Sequence, residues 1–339
     1  MKTILTLGAA MAVLAAPVAH AQQVTLRVAD SFPVGHYIAE KMTKPFMDQV
    51  AERSNGAVTF EYFPAEQLGK ARDLMDLTLS GVTDIGYVAP SFVSDKLPLS
   101  VVAELPEGFT SACEGTRAYW EMAREGGLLD QLEFEPNGVR ALFVLVLPPY
   151  QIYMTPAGAA LEGLHSFSGQ KIRTSGGAKE IAIRKLDAVP VQIPTPEVRE
   201  AAARGTIDGF LFPHSSVPPY DLQRHATAAT VGLNFGSFVA TYMISRDRWA
   251  QLPQDVRDAM TEVGNEIVEA GCRATEEMEA DDIALIEAAG TRMVEFPEQD
   301  KERLKALMAE VSQEWAANLD GRGLRGSEVL GTFQELLSR

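Results

Sequence analysis

Residues 169–186 read GQKIRTSGGAKEIAIRKL. Lys171-Ile172-Arg173 suits a short strand, Ser175-Gly176-Gly177 lets the backbone turn, and a helix begins at about Ala178. A strand feeding a helix through a glycine turn is the building unit of an α/β protein. Arg173 closes that strand beside the free amides of the helix start. Both features favour an anion, and a guanidinium fork matches a carboxylate. Local sequence leaves a second reading open, a surface arginine paired with a nearby glutamate. The charge balance sharpens the question. The chain has 339 residues with 30 Lys+Arg against 46 Asp+Glu, a net charge of −16. So acidic a surface repels phosphate backbones and disfavours nucleic acid and polybasic membrane binding. An anionic ligand would need a local positive pocket.

Outward from this unit, strand and helix signals alternate. Val24, Leu26 and Val28 mark a strand, and Ala39, Met42, Phe46 and Val50 a helical face over 37–53. Strands follow at Val58–Tyr62 and Asp84–Ala89, with a helix through Leu74 and Leu77 between them. ALFVLVL at 141–147 lacks alternation and reads as a strand buried on both faces. DGFLF at 208–212 and VATYMIS at 239–245 are further strands. After Pro253 a helical apolar pattern runs to about Ala289, long enough to require a kink or to bridge two lobes. Leu304, Leu307, Val311 and Trp315 define another helix.

The first 21 residues, MKTILTLGAAMAVLAAPVAHA, have one basic residue, an apolar run and small residues at Ala19 and Ala21. They read as a cleavable secretory signal peptide, which places the mature chain in the periplasm. Cleavage removes Lys2 and leaves 29 basic against 46 acidic residues, a net charge of −17. An oxidising compartment permits a Cys113–Cys272 bridge, and Cys272 lies off the main apolar stripe of its helix; the sequence leaves a bridge and two isolated thiols both open.

Enzyme signatures are missing: the chain has no HExxH, GxSxG or P-loop string. His36, His165, His214 and His225 are scattered, with no pair at metal-ligand spacing. The GxGxxG string at Gly321, Gly323 and Gly326 follows a helix rather than a strand and reads as a loop between helices. We therefore expect no cofactor, no metal and no catalysis. Ligands of open α/β sheets bind beyond the carboxyl ends of strands, where Phe212 and Pro213-His214-Ser215 lie.

Several strings together carry a resemblance. LRVADSFP, SNGAVTFEYFPAEQLG at 54–69, LSGVTDIGYVAP at 79–90, ELP at 104–106, GQKIRT at 169–174 and RGTIDG at 204–209 occur in order over nearly all the mature chain. The chain resembles the substrate-binding subunits of tripartite ATP-independent periplasmic (TRAP) transporters, of the dicarboxylate-binding-protein type. The resemblance implies a two-lobed, type II periplasmic-binding-protein-like fold with a hinge and a long C-terminal helix spanning both lobes. Residues 22–149 with 240–277 would form lobe I, and 150–239 with 278–339 lobe II. The protein, a monomer, would deliver an organic acid to an ion-gradient-driven membrane permease. In that family the arginine of the KIR-like strand, here Arg173, salt-bridges the substrate carboxylate.

Departures from the family pattern shape the expected ligand. Gly176 stands where a polar residue often helps bind substrate. Phe210-Leu211-Phe212 replaces a Gln-Glu-Asn stretch, and Phe235 falls where some sugar-acid binders are polar. A hydroxyl-rich ligand needs many hydrogen-bonding groups, so these changes suggest a carboxylate with an apolar or aromatic body. His36, Tyr37, Gln67, Tyr87, Tyr150 and Tyr153 are the remaining wall candidates; Tyr87, Tyr150 and Tyr153 also suit packing roles. The alternatives are a periplasmic enzyme or a ligand-sensing subunit acting on the same acid.

Overall fold

The computed structural model describes residues 23–106 and 108–339; the expected signal peptide at 1–21 lies outside them. Two sheets form the frame. The first contains β1 (Val24–Ala29), β2 (Val58–Phe63), β3 (Ile85–Val88), β4 (Val139–Val146) and β10 (Val239–Ser245), in the order β2-β1-β3-β10-β4. The second contains β5 (Gln151–Met154), β6 (Lys171–Thr174), β7 (Val189–Gln192), β8 (Gly209–Phe212), β9 (Ala228–Thr230) and β11 (Arg292–Val294), in the order β11-β9-β5-β8-β6-β7.

The chain crosses between the lobes from β4 to β5 and returns from β9 to β10. The first strand after each crossing enters its sheet antiparallel. β10 runs against β3 and β4, and β5 runs against β8 and β9, whereas β1–β2, β1–β3, β6–β7 and β6–β8 are parallel. The crossing segments bond to each other: Tyr150 N donates to Gly236 O at 2.7 Å and Leu147 N to Phe238 O at 2.9 Å. Two hydrogen-bonded crossings make a narrow hinge. With these directions, β1 and β3 of one lobe and β6, β7 and β8 of the other turn their carboxyl ends toward the cleft side.

Local chemistry accounts for the elements. Every residue of β4 is buried, as its unbroken apolar run requires. β7 includes Pro190 and is an edge strand, where a missing N–H costs no ladder bond. The helix Gln254–Ala288 is continuous over 35 residues, about 52 Å long at 1.5 Å per residue. It packs on β4 and the helix Ala112–Ala123 of the first lobe, and on His214–Ser216 of the second. Gly264 allows the close approach: a Cβ there would meet Leu142 O at 2.2 Å. Its far end places Ile286 in the second lobe's own core with Tyr153, Val198 and Phe210. The C-terminal helix Gly326–Leu337, expected in lobe II, packs on Glu298–Asp320, which lies on Ala178–Lys185 of the second lobe, and also reaches Ala112–Ala123 and Ser100–Glu104 of the first. Its Phe333 meets Phe109 edge-on at 6.4 Å, which draws this amphipathic face across.

The cysteine alternatives resolve as a bridge. Cys113 and Cys272 are joined, tying Ala112–Ala123 to the long helix.

Candidate functional site

Asp30–Tyr37 follow β1, Ser91 follows β3, Arg173–Gly177 close β6, Ile193–Thr195 follow β7 and Phe212–Ser216 close β8. All lie at the carboxyl ends of parallel strands, where the backbone leaves the sheet and its amides and side chains become free to meet a ligand.

Arg173 is fully buried. Its Nε donates to Ile193 O at 2.8 Å, Nη1 to Leu211 O at 3.2 Å and Nη2 to Thr195 Oγ1 at 3.1 Å. Its guanidinium carbon stands 5.1 Å from the Phe212 ring centroid. Three of the five N–H donors of a guanidinium are thus placed. Among the described residues no carboxylate comes within 4.0 Å of it. Burial pulls its pKa down to about 10, which still leaves it charged at neutral pH. A buried charge without a counter-ion is costly. Neutral hydrogen bonds and a ring face hold it in place, and they do not neutralise it.

Aromatic rings from both lobes surround this cation. From the second lobe and the hinge, Phe212 lies 6.2 Å from Tyr150 and 5.8 Å from Tyr220, and Tyr150 stacks on Phe238 at 6.5 Å. From the first lobe, His36 reaches Tyr220 at 5.5 Å, stacks on Phe32 at 4.5 Å and on Tyr37 at 4.6 Å, and Phe32 meets Tyr87 at 4.6 Å. Tyr150, Tyr220 and Tyr87 are close enough to act on Arg173 electrostatically. Burial raises the pKa of all three phenols, so they stay neutral donors. Tyr37 OH also touches Ser215 Oγ across the cleft at 3.4 Å.

Some polar atoms here have no partner among the described residues. Burial lowers the His36 pKa to about 3, so the ring is neutral. Its Nδ1 accepts from Ile38 N at 3.2 Å, which assigns the proton to Nε2. That Nε2–H is buried and unpaired, as are the Tyr220 hydroxyl and the Ser91 and Ser175 Oγ atoms. Native interiors leave few such groups, so a cluster of them marks a place built for something other than packing. Beside Ser175 a cavity of about 330 Å³ opens between the lobes, bounded by Arg72, Ser94 and Asp95 on one side and Gln192 and Pro194 on the other.

Six of the expected residues meet here: Arg173, Phe212, His36, Tyr37, Tyr87 and Tyr150. The other four differ. Tyr153 pairs with Phe210 across the β5–β8 ladder, stacks on it at 5.1 Å and bonds His214 Nδ1 through its hydroxyl; strand register buries it in the second core. Phe235 sits edge-on to Phe167 at 5.9 Å within the main core. Gln67 is exposed at a turn. Gly176 has φ +99°, and a Cβ there would stand 2.3 Å from Gln192 Nε2 of its own lobe and 3.3 Å from Ser91 O of the other, so its place is set by turn geometry and close packing. Sequence reasoning missed Phe32, Tyr220, Phe238, Ser91 and Ser175. Phe32 lies within the LRVADSFP string, and Tyr220 follows the carboxyl end of β8, so position alone could have nominated both.

It also missed an ion pair. Lys179 and Glu104 are both fully buried and salt-bridged, one from each lobe. Lys179 Nζ donates in addition to Ser237 O at 2.8 Å and lies 5.8 and 5.7 Å from the Tyr150 and Phe238 rings.

Known proteins share this frame. The family model described as bacterial extracellular solute-binding protein, family 7, matches residues 29–318. A solute-binding protein of Albidiferax ferrireducens is 23% identical over 296 residues, covering 85% of this chain and 86% of that one. A TRAP solute-binding protein from Rhodoferax ferrireducens, solved with copurified benzoate, superposes with a TM-score of 0.85 at 24% identity, covering 93% of this chain and 98% of its own. A marine metagenome TRAP solute-binding protein specific for aromatic acid ligands, solved with 3-hydroxybenzoate, gives 0.86 at 22% identity, covering 94% and 98%. Another from Sulfitobacter, with bound β-D-galacturonate, gives 0.79 at 18% identity, covering 92% and 99%. At these identities the likeness establishes the two-lobed fold.

Proposed function

The chain belongs to family 7 of the bacterial extracellular solute-binding proteins, and from that premise we propose that it captures an organic acid with an aromatic or apolar body. Arg173 takes the carboxylate through its remaining N–H donors. The rings of Phe212, Tyr150, Tyr220, Phe32 and Tyr87 pack the body, and His36 Nε2–H and the Tyr220 hydroxyl supply further donors. The observation that supports this most is the buried Arg173 cation, which no carboxylate among the described residues neutralises. The ligand's carboxylate replaces the missing counter-ion, and closure of the lobes removes both charges from water, where the pair gains strength.

The receptor works by recognition without catalysis and hands its ligand to a TRAP-type membrane permease from the periplasm. In support of this address, the Cys113–Cys272 bridge suits an oxidising compartment. Calorimetric titration with benzoate and 3-hydroxybenzoate, with galacturonate as contrast, tests the reading. Saturable binding of the aromatic acids is expected; a response to the sugar acid alone would refute the apolar site.

The pH dependence follows from three titratable groups at the site: His36, Arg173 and Asp30, whose pKa burial raises to about 6. His36, at about 3, is neutral and Arg173, at about 10, is charged throughout pH 6–9. Affinity for benzoate should be flat from pH 9 to 7.5 and rise toward pH 6, as Asp30 takes up its proton and its repulsion of the anion fades. Titrations at pH 6, 7.5 and 9 check this. An unchanged affinity between pH 7.5 and 6 would mean that Asp30 does not act on the ligand.

A further inference from the structure

Two buried cations stand near the site, and they are in different states. Arg173 has no acidic partner, whereas Lys179 is neutralised by Glu104 behind the Tyr150 and Phe238 rings. The other ionisable group close by is an acid. Asp30, fully buried, accepts from Tyr62 OH at 2.7 Å, Tyr242 OH at 2.8 Å and Phe32 N at 3.1 Å, and with Glu66 it acts on Tyr220. Burial raises its pKa to about 6, so it remains largely ionised at neutral pH. Among the described residues Arg173 is therefore the one buried cation at the site without an acidic partner; Arg72 borders the cavity but is exposed, and the other free donors, His36 Nε2–H and the Tyr220 hydroxyl, carry no charge to neutralise a second carboxylate.

We infer that Glu104, by neutralising Lys179, sets the site to take monocarboxylates and to reject dicarboxylates. This rests on the proposed capture of an organic acid at Arg173 and names the charge class of that acid. A dianion would bury its second carboxylate without a counter-ion and within the field of Asp30, a severe penalty. Glu104 acts through Lys179 and so is a positioning residue. It also accepts from Val239 N at 3.3 Å, which fixes it against the returning crossing strand.

The test uses acids of equal shape and different charge, because a nitro group copies a carboxylate without its charge. Native protein is titrated at pH 7.5 with benzoate, 4-nitrobenzoate against benzene-1,4-dicarboxylate, 3-nitrobenzoate against benzene-1,3-dicarboxylate, and 3-nitropropionate against succinate. The nitro acid of at least one pair should bind at least about 100-fold more tightly than its dicarboxylate. Equal affinities within the pairs that bind, or binding of benzoate with none of the nitro acids, would overturn the inference and leave the proposed function standing. Failure of every acid, benzoate included, would defeat the proposed function and this inference with it. The Glu104→Gln variant, if folded by circular dichroism, should shift the dicarboxylate-to-monocarboxylate ratio toward the dicarboxylate by about 10-fold or more. An unchanged ratio in folded variant would overturn the role of the pair. Where that variant does not fold, the native pairs decide.

Discussion

Replacing Arg173 by alanine is expected to weaken binding of an aromatic acid by roughly 2–5 kcal/mol, on the order of a 30- to several-thousand-fold loss. The size follows from where the partner charge would be left. In the closed complex the ligand carboxylate sits among rings and neutral donors, far from bulk water. Without the guanidinium it would be buried and unpaired, the costlier of the two ways to break such a pair. Folding should survive the change. The alanine removes a cation that the chain itself leaves without a counter-ion, although the carbonyls of Ile193 and Leu211 each lose a donor. Arg173→Lys separates charge from shape. Lysine keeps the positive charge and loses the planar fork, so its affinity should fall between native and alanine. Calorimetry with circular dichroism as the fold control reads both. Unchanged affinity in a folded Arg173→Ala protein would remove the clamp from the account.

The second large effect concerns stability. Cys113 and Cys272 are 159 residues apart in sequence, and their bridge closes a loop long enough to restrict the unfolded chain severely. Removing both thiols as Cys113→Ser with Cys272→Ser should cost about 2–5 kcal/mol, toward the upper end for so long a loop. Both ends lie in first-lobe packing, on Ala112–Ala123 and on the part of the long helix that faces it. Neither touches the rings around Arg173. Affinity of the folded double variant should therefore match native protein while its urea midpoint falls. Coincident midpoints for the oxidised protein and the variant would show that the bridge adds no stability.

Much of this could be read from sequence, and the failures have a common cause. β4 was legible because a strand buried on both faces shows as an unbroken apolar run. The long helix and the strand ending at Arg173 were legible from period and glycine placement. β9 and β11 have three residues each and β5 has four, too few for any period to emerge. Tyr150 and Tyr153 illustrate what pattern cannot decide. Tyr150 precedes one short strand and Tyr153 lies within it, and only its pairing with β8 sends Tyr153 into the second core and leaves Tyr150 beside Phe212. Phe235 was placed by resemblance in a loop, where one residue of register separates a site from a core. Glu104 and Lys179 lie 75 residues apart, and nothing local announces that they meet. The ELP string contained Glu104 without revealing its partner.

The assembled site contradicts an ordinary rule of packing, and that contradiction is what sequence hinted at and structure made concrete. A cation is buried, hydrogen-bonded and unneutralised, while most of the chain's other described arginines near carboxylates form pairs, such as Arg246 with Asp130 and Arg248 with Asp84. Proteins break such rules mainly where function requires it.

The central claim is that Arg173 grips a ligand carboxylate between the closed lobes. A crystal structure of the protein grown with benzoate tests it most directly. The account predicts a carboxylate oxygen within hydrogen-bond distance of Arg173 Nη1 or Nη2, with the ring against Phe212 and its neighbours. A carboxylate bound elsewhere, with Arg173 keeping only Ile193, Leu211 and Thr195 as partners, would contradict it.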